Sequence, residues 1–432
     1  MAPKKKLKPG EEEKPRGGFL KAWQKKADIQ RAFTKKRFGE EMTLYSGDPA
    51  LDWGQGGFKR GRANLFFGPS KSGKTTIALI LAGMEQKKTK GYVLVFDSEY
   101  AHKVDDPDAV ERWEQAGIDP AKVISVSSNR VDALFEGLGD LEADIKKGEL
   151  NISAIVVDSW GGVQSEQARD KLDAGNVSGA GNAFGGNAKT INPIIQSLLR
   201  ICSEYGVTGF FVQHCIENLD KDQYGNPKGP KWILLGGQKL RYLCHGITFF
   251  ESVEAKDALL GDGDSQIQRG DGNIAVGKKI RMRCEKSRKQ VEGRKVEFWM
   301  NFAEARFARP AQSLFDLAVS LGVIDHPVVP ELDEKTGEQK IDKKTKLPVV
   351  KINKGWWQFQ ASAEKVYKFQ IKEFQAQLDT DAELYKTMFE ACSNCSKKDA
   401  APEWSASQAD VGGDVPDAED LKGLELPGDD DE

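Results

Sequence analysis

One eight-residue stretch constrains the fold of this chain more than any other segment. It reads Gly68-Pro69-Ser70-Lys71-Ser72-Gly73-Lys74-Thr75, with an apolar run at 65–67 before it and an alanine- and leucine-rich run at 76–84 after it. This order predicts a strand, a glycine loop and a helix, with G-x-x-x-x-G-K-T at the joint. Glycines permit backbone angles that a side chain forbids, so that the loop N–H groups can converge on an anion at the helix N-terminus.

The loop therefore predicts a nucleoside triphosphate ligand with Mg²⁺. Lys74 is expected to reach the β- and γ-phosphates, and the Thr75 hydroxyl to bind the metal. The alternative is a glycine-rich turn before an ordinary helix, which the flanking strand and helix patterns disfavour. We expect the nucleotide to contact Gly68, Pro69, Ser70, Lys71, Ser72, Gly73, Lys74, Thr75 and Thr76.

Apolar runs alternate with helical periodicity through the middle of the chain. The runs at 92–97, 123–126, 152–157, 207–213 and 246–251 predict strands, and 130–147 and 189–205 predict helices. This alternation predicts an α/β fold with a mostly parallel twisted sheet, in which nucleotides bind at the C-terminal edge of the strands. Two further runs, at 279–285 and 295–302, predict an antiparallel hairpin that extends the sheet.

Charge and composition divide the 432-residue chain into five predicted regions. Residues 1–37 carry 13 Lys/Arg against 4 Asp/Glu, and 414–432 carry 9 Asp/Glu against one Lys. A basic arm and an acidic tail suggest a polyanionic partner and a competitor for it, or merely two solvated ends. The regions are a disordered basic leader (1–18), an oligomerisation helix and linker (19–50), the ATPase core (51–310), a small mixed C-terminal domain (311–395) and a disordered acidic tail (396–432).

Several classes of protein are disfavoured. No apolar run reaches the roughly 18 residues that a membrane span needs, and the charged N-terminus is not followed by the apolar stretch of a secretory signal. Six cysteines in so long a chain do not indicate a disulfide framework. Cys392 and Cys395 have zinc-like spacing without a second pair nearby, which favours free thiols over a metal site. We expect a cytoplasmic protein with no membrane partner.

Two carboxylates follow predicted strands of the sheet. Asp158 ends the run at 152–157, beside the predicted phosphate loop, where it can hold Mg²⁺ through a water; a helix cap is the alternative. Glu99 follows the run at 92–97 and faces the γ-phosphate from the opposite side. Position 159, where several phosphate-loop classes place their catalytic carboxylate, is a serine. Glu99 is therefore the candidate general base, with a plain surface charge as the alternative.

Five segments in the same order resemble the core of RecA recombinases: GPSKSGKTT, FDSEYA, AIVVDSWGG, FFVQHCIEN and LLGGQKLRY. The GPSKS form of the loop, the DSE triplet, the histidine of QHCIE and the CEKSRK run are similar to the UvsX-type recombinases of bacteriophages. The resemblance covers about residues 55–325 and implies a RecA-like ATPase core that binds ATP and Mg²⁺.

The resemblance also implies roles for individual residues. Glu99 matches the general base, Asp158 the Walker B aspartate, and His214 a γ-phosphate sensor that signals to a DNA-binding loop. His214 could instead be an ordinary strand-end residue with its hydrogen bonds satisfied. Lys286 and Arg288 match cations that reach the ATP of an adjacent subunit, or they belong to a basic strand that faces solvent or DNA.

Two long segments resemble the DNA-contacting loops of the family. Residues 161–186 are rich in glycine, and residues 218–235 combine lysines with aromatic side chains, which suits a single strand whose phosphates are neutralised and whose bases can meet rings. The candidate DNA-binding residues are Arg169, Lys171, Lys221, Tyr224, Lys228, Lys231 and Trp232.

These observations predict an ATP-dependent strand-exchange recombinase that forms helical filaments on single-stranded DNA, for recombination, repair and recombination-dependent replication. Expected partners are single- and double-stranded DNA, further copies of the chain, a single-strand-binding protein and a recombination mediator. A phage-encoded protein would act in the bacterial host cytoplasm. Two alternatives share Lys74, Glu99 and Asp158: a ring-forming helicase or motor, and a RecA-core ATPase with no DNA role.

Overall fold

The structure is a computed structural model that describes residues 41–160, 193–219, 231–234, 237–270, 272–288, 292–333, 339–342 and 348–395. The predicted leader at 1–18, residues 19–40 of the predicted oligomerisation helix and linker, and the predicted acidic tail at 396–432 lie outside these residues. Among the residues it describes, no helix has the length and apolar character that a membrane span requires.

Six parallel strands form the centre of the fold, in the spatial order β9-β3-β7-β6-β4-β5. Both faces are covered, so the strands read as nearly continuous apolar runs. The prediction of a mostly parallel α/β sheet is confirmed. The strands are β3 (Ala63–Gly68), β4 (Tyr92–Asp97), β5 (Val123–Ser127), β6 (Ile152–Asp158), β7 (Thr208–Glu217) and β9 (Gly246–Ser252).

Helices cover the two faces of this sheet and separate two hydrophobic clusters. Phe66 packs with Ile77 in one cluster, whereas Leu65 packs with Ile194 in the other. Adjacent strand residues point to opposite faces, which explains this division. The helices are α2 (Lys74–Thr89), α3 (Pro107–Gln115), α4 (Val131–Lys147), α5 (193–205) and α6 (Gly237–Leu243). A short 3-10 turn, Pro120–Lys122, precedes β5.

The predicted hairpin extension is present beyond β9. β12 (Gly277–Ser287) pairs antiparallel with both β9 and β13 (Lys295–Asn301). β14 (Arg306–Ala308) continues this part, as do the short strands β10 (Leu259–Leu260) and β11 (Gln266–Ile267), which flank the turn Asp262–Asp264. β8 (Trp232–Leu234) pairs with the end of β7.

The lead-in to β3 is more ordered than its glycines indicate. The glycine-rich sequence of residues 54–62 predicts turns, but helix α1 (Pro49–Gln55) includes Gly54, and β2 (Phe58–Lys59) pairs with β1 (Thr43–Leu44). The Asp48 side chain caps α1 by accepting from the Leu51 N–H. A β-carbon at Gly54 would lie 2.7 Å from the Met282 Cε, so the glycine serves close packing on β12.

The C-terminal part is mixed and packs against α1. It comprises α7 (Pro310–Ser320), β15 (Ile324–Asp325), β16 (Val328–Pro330), β17 (Val350–Ile352), β18 (Trp357–Gln360), β19 (Val366–Phe369), α8 (Ile371–Thr380) and α9 (Ala382–Asn394). The sequence of residues 362–391 predicts a helix, but this prediction is wrong for its first part, because 366–369 pairs with β18 as a strand. Its residues alternate between exposed and buried, which is the period of a strand. Cys392 is buried in α9, and Cys395 follows the helix end.

Candidate nucleotide site

The predicted phosphate loop joins the end of β3 to the start of α2 at the C-terminal edge of the sheet. Gly68 has a φ of 156°, and a β-carbon there would come within 1.9 Å of the Phe250 carbonyl oxygen. Gly73 caps α2 with a φ of 81°, in the left-handed region that favours glycine. Both glycines are therefore required by the backbone of the loop, and the first N–H groups of a 16-residue helix face the loop.

Lys74 lies over this loop and is almost fully buried. Its Nζ donates to the Pro69 carbonyl oxygen at 2.7 Å and to the Ser72 Oγ at 3.3 Å. Burial lowers the pKa of Lys74, and the nearby Asp158 opposes this shift. The loop therefore holds a cation close to its own backbone, where it can meet a phosphate group.

Thr75 and Asp158 form the second part of the site. The Thr75 Oγ1 donates to the Asp158 Oδ2 at 2.7 Å, and Asp158 is buried at the end of β6. A hydroxyl and a carboxylate side by side supply the hard oxygen ligands that Mg²⁺ prefers. His102, also buried, places its Nε2 3.7 Å from the same carboxylate oxygen. These residues fit a metal held beside the phosphate loop.

Glu99 and His214 meet across the cavity. The His214 Nε2 lies 2.6 Å from the Glu99 Oε1, and the Ser159 Oγ donates to the same oxygen at 3.0 Å. The hydrogen bond from His214 is the main cause that lowers the pKa of Glu99, with burial opposing it. A carboxylate that stays charged at neutral pH can accept a proton from a water molecule.

Asp97 fixes the position of Glu99 and was not predicted as a site residue. Its carboxylate accepts from the Glu99 N–H at 3.0 Å and from the His102 N–H at 2.6 Å. It is fully buried at the end of β4, as Asp158 is at the end of β6. The same sequence signal, a carboxylate that ends an apolar strand, could have identified it.

A cavity of about 450 Å³ brings together Glu99, His214 and the loop residues from Ser70 to Thr76, whereas Gly68, Pro69 and Asp158 are not part of its lining. Two of its residues were missed: Lys278 at the start of β12 and Phe302 just after β13, with the Lys278 Nζ 5.7 Å from the centre of the phenyl ring. Only strand pairing brings these residues to the phosphate loop, so local sequence patterns could not find them. The cavity is lined by Ser70, Lys71, Ser72, Gly73, Lys74, Thr75, Thr76, Glu99, His214, Lys278 and Phe302.

Comparison with known proteins agrees with this geometry. The chain is similar to the RecA proteins of Corynebacterium glutamicum strain R (26% identity over 306 residues, 68% of this chain and 71% of the relative) and Chlorobium chlorochromatii (26% over 288 residues, 66% and 70%). It also matches that of Thermus aquaticus at 26% over 308 residues, 69% of this chain and 79% of the relative. Over about two thirds of its length the chain is thus similar to RecA proteins, and its sheet and helices are consistent with a RecA-like core. No protein-family model matches it.

The two cations that RecA resemblance assigns to a neighbour's ATP lie far from this chain's own cavity. β12 runs antiparallel to β9 and β3, so its first residues reach the phosphate-loop edge and its last residues reach the opposite edge. Ser287 pairs with Gly246, and Gly246 pairs with Asn64 near the start of β3. Lys286 and Arg288 therefore cannot serve the triphosphate site of their own chain.

The second candidate DNA loop, residues 218–235, starts four residues after His214. Two of its candidate DNA-binding residues are described, Lys231 and Trp232: the Lys231 Nζ lies 5.2 Å from the ring centre of Trp232. The Asn218 N–H donates to the Lys231 carbonyl oxygen at 2.6 Å, which closes the base of the loop. The other candidates, Arg169, Lys171, Lys221, Tyr224 and Lys228, lie outside the described residues, as does the segment 161–186.

Proposed function

We propose that this protein is a RecA-like, ATP-dependent DNA strand-exchange recombinase, active as a helical filament on single-stranded DNA. The observation that carries the proposal is the 2.6 Å contact between Glu99 and His214. His214 stands on β7 only four residues before Asn218, where the candidate DNA loop begins. One strand thus joins the group that faces the γ-phosphate to the base of a Lys- and aromatic-containing loop.

The chain's own residues supply the steps of hydrolysis. Lys74 and the N–H groups of the loop bind the phosphates, while Thr75 and Asp158 hold Mg²⁺. When bound, Mg²⁺ neutralises charge on the phosphate oxygens. Glu99 orients a water molecule and takes its proton, with its position held by Asp97.

His214 connects this chemistry to DNA. A γ-phosphate beside Glu99 offers His214 a second hydrogen-bond acceptor, so the two ligand states favour different positions of the end of β7. β8 pairs with that end, from Cys215 to Glu217, and carries any shift to the returning part of the loop. Binding of ATP would therefore order the loop on a single strand, and hydrolysis would release it.

Assembly completes the site in this proposal. Because the segment that ends β12 lies at the opposite edge of the sheet, its cations can meet a triphosphate only when an adjacent subunit supplies that triphosphate. A head-to-tail arrangement of this kind generates a helical filament when it does not close. The same proposal includes four further points. They are the closer similarity to UvsX-type recombinases, the roles in replication and repair, the mediator and single-strand-binding partners, and the boundaries of the five regions.

The test measures ATP hydrolysis by the full chain with and without single-stranded DNA and examines the DNA complexes by electron microscopy. We expect turnover that DNA stimulates, together with helical filaments. Equal turnover with and without DNA from a monomeric protein would favour an ATPase with no DNA role. Closed rings would favour a helicase or motor.

The connection through His214 has its own test. His214→Ala is expected to keep MgATP binding and to lose most of the stimulation by DNA. His326→Ala is the matched control, because His326 is exposed and stacks on Trp357 in the C-terminal part. Full stimulation in His214→Ala would rule out this residue as the connection.

A further inference from the structure

The two cations assigned to a neighbouring subunit differ sharply in their surroundings within their own chain. The Lys286 Nζ donates to three carbonyl oxygens, those of Arg241 at 2.7 Å, Tyr242 at 2.9 Å and Cys244 at 2.9 Å. These carbonyls belong to the end of α6 and the residue that follows it. Lys286 therefore closes the C-terminus of a helix in its own chain.

The contact between Lys286 and α6 uses every hydrogen-bond donor of the lysine side chain. A lysine ammonium has three donors and no acceptor, and here each donor has a carbonyl partner. The last carbonyls of a helix have no partner within the helix and carry its negative dipole end, which favours a cation. Partial burial lowers the pKa of Lys286, and the charge of the nearby Arg288 lowers it further.

The backbone of β12 directs Lys286 towards α6. Its pairing with β9 shifts register between Cys284 and Lys286, a bulge that turns the following side chains. Gln55 of α1 then holds the strand end on both sides: its Nε2 donates to the Lys286 carbonyl oxygen at 3.3 Å, and its own carbonyl accepts from the Ser287 Oγ at 3.4 Å. Both the side chain and the backbone of Lys286 are thus engaged.

Arg288 stands just beyond this anchored strand end. It is exposed, and no carboxylate of the described residues lies within ion-pair distance of it. Its planar guanidinium suits a phosphate group bidentately. Lys286 provides the fixed base from which Arg288 extends.

We propose that the two cations have separate roles: Lys286 is a positioning residue that caps α6 in its own chain, and Arg288 alone reaches the triphosphate of the neighbour. α6 follows the candidate DNA loop and β8 directly, so its cap supports the returning side of that loop. The inference rests on the proposed function, since it needs an assembly in which one subunit serves the ATP of the next.

The experiment mixes two inactive variants on single-stranded DNA and measures ATP hydrolysis. Arg288→Ala is expected to lower DNA-stimulated turnover by about a thousandfold, the low end of what a trans arginine supplies. Lys74→Ala has no working site but keeps Arg288. In an equimolar mixture each Arg288→Ala site can meet a Lys74→Ala neighbour, so turnover should recover to about a quarter of wild type.

The same mixture made with Lys286→Met should not recover, because its fault lies within the subunit that carries it. A second variant, Lys286→Arg, separates the roles again: arginine would serve well in trans, but its planar fork cannot satisfy three converging carbonyls. We expect Lys286→Arg to lose turnover as well, and Lys286→Met to melt below wild type while Arg288→Ala does not. Lys295→Ala, an exposed lysine at the start of β13, is the control with wild-type turnover.

Other outcomes overturn the inference. Recovery with Lys286→Met, or full turnover of Lys286→Arg, would show that Lys286 acts in trans. No recovery with Arg288→Ala would remove Arg288 from that role. Wild-type protein without DNA-stimulated turnover would count against the proposed function instead, which keeps the two failures distinct.

Discussion

The two edges of the parallel sheet are built from opposite uses of polar residues. At the C-terminal edge, Lys74, Glu99 and His214 line one open cavity and bond mainly to each other or to the phosphate loop. At the opposite edge, Lys286 and Arg294 donate to backbone carbonyls, and the Arg294 guanidinium lies 4.0 Å from the ring centre of Trp53. One edge presents its polar groups to a ligand, while the other uses them to hold segments together.

Because of this difference, we expect residues of the cavity edge to control ATP turnover and residues of the opposite edge to control the stability of the fold. Groups that face a cavity can lose a side chain without leaving a buried partner unsatisfied, so substitutions there should affect turnover more than folding. Trp53 and Arg294 are buried between packed segments, so substitutions at these two residues should affect folding more than turnover. Four substitutions test this contrast, in order of expected effect.

Lys74→Ala should have the largest effect, a loss of ATP turnover of about a thousandfold, because the phosphates lose their buried cation. The melting temperature should change little. Lys87→Ala is the matched control, since Lys87 is an exposed lysine in the last turn of the same helix, at the opposite edge. Steady-state assays of ATP hydrolysis measure the turnover of both variants. Turnover by Lys74→Ala near the wild-type rate would contradict the role of Lys74 in binding the phosphates.

Glu99→Gln should keep ATP binding and lower turnover by about 10²- to 10⁴-fold, the usual contribution of a general base. Since the hydrogen bond from His214 lowers the pKa of Glu99, the charged base persists below the ordinary pH range of a glutamate. Wild-type turnover should therefore decline only in acid, and His214→Ala should move that decline to higher pH. Glu111→Gln, an exposed glutamate on α3, serves as the control, and unchanged turnover in Glu99→Gln would be decisive against the role.

Trp53→Ala tests the opposite edge. The Trp53 Nε1 donates to the Cys392 carbonyl oxygen at 2.9 Å, and its ring supports Arg294, so its loss should cost about 3–5 kcal/mol of unfolding free energy. The affinity of the folded protein for ATP should stay near wild type. Urea unfolding measures the free energy of unfolding, and a binding titration measures the affinity for ATP. Trp356→Ala, at a partly exposed tryptophan, should cost far less; an equal cost would mean that the Trp53 contacts contribute little.

Asp48→Asn should change the pH dependence of stability. Burial raises the pKa of Asp48 to about 7 and that of Asp52 to about 6, from an ordinary value of 3.8. A raised pKa means that the fold prefers the protonated form, so this stability is present in acid and is lost as pH rises through about 7. Wild type should melt lower at pH 8 than at pH 5, and Asp48→Asn should show a smaller difference.

Asp106→Asn is the matched control for that substitution, because Asp106 also caps a helix ahead of a proline, at an exposed position. This control measures how much stability is lost when asparagine replaces a capping aspartate that is not deeply buried. Parallel melting curves for wild type and Asp48→Asn at both pH values would show that Asp48 does not control the slope.

Much of the nucleotide site could be predicted because its residues follow strands in the sequence. Asp158 and Glu99 each come at or just after the end of an apolar run, and parallel strands bring their C-terminal ends to one edge. Lys278 and Phe302 could not be predicted this way, because they lie on antiparallel strands whose register brings them to the loop. The prediction of a turn at Gly54 was wrong, since in the sequence a glycine that permits close packing on Met282 looks the same as one that makes a turn.

The amino-acid sequence alone determined the phosphate loop, the order of the strands along the chain and the candidate base, because each depends on local spacing or on the period of a single element. Only the tertiary structure decided which polar groups share a partner: Glu99 with His214, Trp53 with Cys392, and Lys286 with the end of α6. Those contacts join residues that are 42 to 339 positions apart. No local pattern records such distances, since the pairing of strands and the packing of helices set them.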